Sequence, residues 1–107
     1  MANPWAGEVA IVLDGERHVL RLSLGALAAL EGSLGVDGLA PLIGRFETGA
    51  VTTRDVVAVL LAGLHGAGWR GTARALLEGE IEGGASEAVR AAAELLGRSF
   101  ALPERAS

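Results

Sequence analysis

Gly66-Ala67-Gly68-Trp69-Arg70-Gly71 spells G-x-G-x-x-G, the glycine spacing that lets a backbone approach a pyrophosphate at a helix N-terminus. In a dinucleotide fold that pattern follows the first strand and opens a helix. Here it follows a long apolar segment with helical character, and the strand pair upstream reads as antiparallel. These glycines are expected to end a helix and turn the chain, which needs the same freedom at positive φ.

The other chemically able residues do not converge in the sequence. His18 and His65 are the two histidines, and neither stands at ligand spacing such as His-x-x-x-His. A general base also needs a nucleophile or an orienting carboxylate beside it. Ser23, Ser33, Ser86 and Ser99 lie in no Gly-x-Ser-x-Gly elbow. Glu78, Glu80, Glu82 and Glu87 form the one acidic concentration. Paired carboxylates serve glycosidases or hard cations, but with Gly79, Gly83 and Gly84 between them and no calcium-loop pattern they read as a solvated loop face. Trp5 and Trp69 fall outside the strongest apolar stripes. Each is either a partner-binding anchor or a lid on the core edge, and they are the candidate partner-binding residues. No catalytic, cofactor-binding or metal residue is assigned, and an enzyme is not expected.

Composition narrows the partners. The formal charge of -4 disfavours attraction to phosphate backbones, so no nucleic acid is expected. The absence of cysteine removes disulfides and thiolate chemistry and suits the cytoplasm. The start of the chain lacks the basic and apolar regions of a secretory signal, and no apolar run reaches the length of a membrane span. A cytoplasmic protein without membrane partners is expected.

With 107 residues the chain suits one domain. Residues 8–22 read as a hairpin: Val9, Ile11 and Leu13 alternate before Asp14-Gly15, then His18, Leu20 and Leu22 alternate around Arg17, Val19 and Arg21. A lone hairpin is marginal in water, so other elements must cover it. Residues 24–101 read as helical. Ser23 caps a first helix carrying Leu24, Leu27 and Leu30 on one stripe and stopping at Gly32 or Gly35. Leu39, Leu42, Ile43 and Phe46 mark a second between Gly38 and Gly49, with Pro41 early. Thr52 and Asp55 make a cap-like start for a central helix through Val56, Val59, Leu60 and Leu64, ending at Gly66 and Gly68. Thr72 caps a short helix over Ala73 to Leu77. The last runs from about Ser86 to Ala101, with Ala88, Val89, Ala92, Leu95, Leu96 and Phe100 on its apolar side and Glu87, Arg90, Glu94 and Arg98 paired on its wet side. Residues 102–107 read as a tail, frayed from Pro103 to Ser107. The fold class is α+β, an N-terminal β-hairpin followed by a four- to five-helix bundle.

One resemblance covers nearly the whole chain. It runs through Asn3-Pro4 and Gly7-Glu8-Val9, the stretch Leu20-Arg21-Leu22-Ser23-Leu24-Gly25-Ala26-Leu27-Ala28-Ala29-Leu30-Glu31, then Phe46 and Thr53-Arg54-Asp55. It continues in Leu61-Ala62-Gly63-Leu64-His65-Gly66-Ala67-Gly68, Glu82-Gly83-Gly84 and Ala91-Ala92-Ala93-Glu94-Leu95-Leu96 with Phe100. In these the sequence resembles the gene transfer agent family of small phage-tail proteins, of the tail tube or tail assembly chaperone type. The resemblance implies assembly rather than catalysis and brings no catalytic residue or cofactor. It implies tail partners such as the tape-measure or tail tube protein, in a gene transfer agent or prophage cluster. One hairpin and several helices suit a chaperone for the tape-measure protein; the alternative is a structural tail subunit retained in the particle. Self-association through a hairpin edge or an exposed leucine stripe is a further expectation, since the apolar share leaves surface patches once the core is filled.

Overall fold

The computed structural model describes residues 9–35 and 39–100. β1 (Val9–Leu13) and β2 (Glu16–Leu20) pair antiparallel, with Val9 opposite Leu20 and Leu13 opposite Glu16. Asp14 and Gly15 both take positive φ, 52° and 84°, the geometry that matches a two-residue turn to the strands' twist. Val9, Ile11, Leu13 and Leu20 are buried. The paired strands are shorter than the expected 8–22: Arg21 and Leu22 leave the ladder, because the Arg21 N–H donates to the Gly63 carbonyl, 2.9 Å away, instead of continuing the hairpin.

Among the described residues five helices follow, α1 (Leu24–Leu34), α2 (Ala40–Thr48), α3 (Thr53–Gly66), α4 (Ala73–Glu78) and α5 (Gly84–Phe100). Each local start has a chemical cause. The Ser23 hydroxyl accepts from the Ala26 N–H at 3.1 Å and Thr72 accepts from Ala75 at 3.1 Å, satisfying first-turn donors that have no partner within the helix. Thr52 and Asp55 close a reciprocal capping box at α3, 3.1 and 3.0 Å. At the other ends, Gly35 and Gly49 adopt the left-handed conformation that stops α1 and α2. α1 therefore passes through Gly32 and ends at Gly35.

α3 is the central element. It packs against α1, α4, α5 and β2, while α5 also covers β1. Val59, Leu60 and Leu64 of α3 meet Ile11, Leu30, Leu42 and Leu96 in a core where all seven side chains are fully buried. Gly63 makes a close crossing possible: a Cβ there would lie 2.6 Å from the Leu95 side chain and 3.1 Å from Leu20.

Three further expectations need correction. Leu24 does not join the α1 stripe; at 3.6 residues per turn it falls off the line through Ala26 and Leu30 and stays 85% exposed. Val89 leaves the apolar side of α5, which is made by Ala88, Ala91, Ala92, Leu95 and Leu96, and is 38% exposed. α5 starts at Gly84 rather than Ser86, directly after Gly83 turns the chain at φ 91°. The expected Gly38 start of the second helix, the side chain of Phe100 and the tail lie outside the described residues.

Candidate functional site

The segment between α4 and α5 is more than a solvated loop. Leu13 bridges Ile81 antiparallel, with the Asp14 N–H donating to the Glu80 carbonyl at 2.8 Å and the Glu82 N–H to the Val12 carbonyl at 2.9 Å. The Asp14 carboxylate also accepts from the Glu80 N–H at 2.9 Å. Residues 80–82 thus lie along the outer edge of β1 as a one-bridge third strand. Gly79 permits the approach, since a Cβ there would sit 2.7 Å from the Leu13 side chain.

This strap, the hairpin turn and the first half of α3 enclose an open groove of about 950 Å³ with α4 and α5. Val56, Leu60, Leu76 and Ala88 form its buried floor, Val12, Val57 and Ile81 its half-buried sides. Leu77, 61% exposed, and Val89 stand on its rim, so two of the three most exposed large apolar side chains of the described residues border one cavity. Among the described residues Asp14, Glu80 and Glu82 are its charged lining residues, and no basic one lines it. The result is an apolar trough with an acidic lip. Such a surface can exclude water from apolar side chains laid in it and favours positive charge at its edge.

Of the four glutamates read as one acidic face, Glu78 pairs with Arg74 at 3.1 Å and Glu87 with Arg90. The hydrogen bond from Arg90 holds the Glu87 carboxyl below its ordinary range despite partial burial. Glu94 is held down likewise by hydrogen bonds from Arg98 and Arg90. Glu80 and Glu82 remain on the groove. Among the described residues no group of three or more His, Asp or Glu side chains is placed to hold a metal ion, and no helix there is long and apolar enough to cross a membrane.

At the far end of α3 the structure gathers Trp69 with both histidines. The Trp69 ring stacks on His65, centroids 6.0 Å apart, and meets His18 edge to face at 6.2 Å. His65 Nε2 lies 2.7 Å from the Gly71 carbonyl, which accepts its proton in the Nε2–H tautomer. The G-x-G-x-x-G glycines serve this junction. Gly66 leaves room for the Arg21 carbonyl, Gly68 turns the chain at φ 102°, and the Trp69 ring lies against Gly71. Trp69 is half-buried and packs on the core. Trp5 lies outside the described residues.

Among the described residues, the most buried charged side chain is legible in the sequence only as a cap. Asp55 is 3% exposed, and besides closing the capping box it accepts from Arg45 Nε at 3.0 Å and Nη2 at 2.9 Å. Burial raises its pKa, but the Arg45 and Thr52 hydrogen bonds and the Arg45 charge outweigh that, so the carboxyl lies below its ordinary value. Its partners are all used in structure.

Comparison with known families decides what kind of chain carries the groove. A family model described as "Phage tail tube protein, GTA-gp10" matches residues 6–102. The chain belongs to this family of gene transfer agent and phage tail proteins. No curated protein and no solved structure matches it. As a member of a phage tail family, the chain has the groove and the Trp69 junction as the surfaces to be explained.

Proposed function

We propose that this tail-family protein works by binding, not catalysis, and that it is a chaperone holding an apolar segment of the tape-measure protein before and during tube assembly in the cytoplasm. The groove carries the reading. Its floor is apolar and its rim keeps Leu77 and Val89 in water, an arrangement that costs solubility unless another chain covers it. A long apolar-rich partner needs such a cover until the tube closes around it. Among the described residues, two strands and a one-residue bridge also supply little sheet from which to build a tube wall. Co-expression with the tape-measure protein of the same gene cluster tests the reading. Co-purification that is lost in Leu77→Glu supports it, and no co-purification with the unaltered chain removes it.

A second reading, a structural subunit retained in the particle, is favoured by the family's description as a tail tube protein. Mass spectrometry of purified particles separates the two. Stoichiometric presence assigns the chain to the tail; absence from particles that fail to form without it assigns it to assembly.

A further inference from the structure

Leu24 is the most exposed large apolar side chain of the described residues, at 85%. It stands at the end of the molecule opposite the groove. α1 and α3 run antiparallel: Arg54 in the first turn of α3 donates to the Ser33 carbonyl near the end of α1 at 3.1 Å, and the Arg21 carbonyl and Ala26 pack on Gly66 at the last turn of α3. The groove uses the first half of α3, Thr52 to Leu60. From Leu60, the last α3 residue on the groove, to Gly66 is six residues, about 9 Å at 1.5 Å per residue, and that stretch of α3 separates the exposed leucine from the near edge of the trough.

The two ends also differ in charge. Arg21 precedes Leu24 by three positions, and Arg70 follows Trp69 at the same end of α3. Among the described residues neither forms an ion pair with a carboxylate, and neither Glu80 nor Glu82 at the groove forms one with a cation. Around Leu24 the exposed neighbours Gly25 and Ala28 are small, so the backbone there can come close to an opposing surface.

We infer that the Leu24 end of one copy seats in the groove of a second copy, with Arg21 facing the acidic lip. Knob and trough lie on opposite ends, so the contact is heterologous, and it propagates as a chain or closes as a ring according to the rotation per step. A two-fold pairing of groove with groove is disfavoured because it sets two acidic lips against each other. The contact occupies the groove that the proposed function gives to a client, so copy and client exclude each other there. It does not depend on that function.

Sedimentation velocity of the full chain over rising concentration tests this, with Leu24→Glu and Val89→Glu as variants whose sites are already exposed. The unaltered chain is expected to sediment faster as concentration rises, each variant alone as a monomer, and an equimolar mixture of the two as a two-chain species. Each variant keeps one intact end, so the mixture can make one contact and no more. Far-ultraviolet circular dichroism checks folding, and Leu24→Ser with Leu77→Ser replaces the pair if either glutamate unfolds the chain. A monomeric unaltered chain at all concentrations, a Leu24→Glu chain that associates normally, or a mixture that stays monomeric overturns the inference. Failure of the client reading is separate: the tape-measure protein then fails to co-purify while the mixture still pairs.

Discussion

Arg45, near the end of α2, grips the buried carboxylate of Asp55 in the first turn of α3 through two hydrogen bonds, at 3.0 and 2.9 Å. The same carboxylate accepts the Thr52 N–H. One side chain therefore caps the central helix and fixes α2 to it, and the first turn of that helix borders the groove.

Replacing Asp55 with Asn is expected to destabilise the protein by about 2 to 3 kcal/mol, the sum of a weakened cap and a broken ion pair. The figure stays below that of a fully buried pair because the Arg45 side chain is 35% exposed. Urea unfolding of the variant measures it.

Acid should act through the same group. The Asp55 carboxyl is depressed in the folded state, so its contribution is complete above its ordinary value of 3.8 and is lost as pH falls through the lower folded value. Glu87 and Glu94 add in the same direction below their ordinary 4.5. The midpoint of thermal unfolding is expected to fall steeply below that range, and less steeply in Asp55→Asn; equal slopes would contradict the assignment.

The glycines of the helices divide by what surrounds them. Gly66→Ala drives a methyl into the Arg21 carbonyl, and Gly63→Ala meets Leu95 and Leu20; each is expected to destabilise by about 1 to 3 kcal/mol through overpacking. A Cβ at Gly97 meets nothing within 4 Å. Gly97→Ala is expected to stabilise by about 0.5 to 1 kcal/mol through helix propensity alone. Thermal unfolding of the three variants ranks them.

Trp69→Ala is expected to cost about 2 kcal/mol, a fraction of a full core truncation, because the ring is half-buried against the core and stacked on His65. Chemical denaturation checks the lid role. A variant as stable as the parent that loses a tail partner would instead make Trp69 a contact residue.

Local chemistry was readable in the residues themselves. Asp14-Gly15 marks its turn because the φ requirement is confined to two positions, and Ser23, Thr52 and Thr72 mark helix starts because each bonds a backbone group three residues away. What escaped is what long separation in the chain creates. Nothing near Ile81 announces its bridge to Leu13, and nothing near Arg45 announces Asp55. Leu24 and Val89 match an apolar pattern, yet the direction of each helix's buried line is set by its neighbours, which leaves both in water. The groove follows from these unseen relations, since the strap at 80–82 and the rim at Leu77 and Val89 come together only in the folded chain.

The central claim is that the groove holds an apolar segment of another tail protein. Isothermal titration of the purified chain with segments of the tape-measure protein tests it most directly. At least one segment is expected to bind the unaltered chain, and Val89→Glu, still folded, is expected to weaken that binding tenfold or more, about 1.4 kcal/mol. Unchanged affinity in the folded variant, or no binding by the unaltered chain, would contradict it.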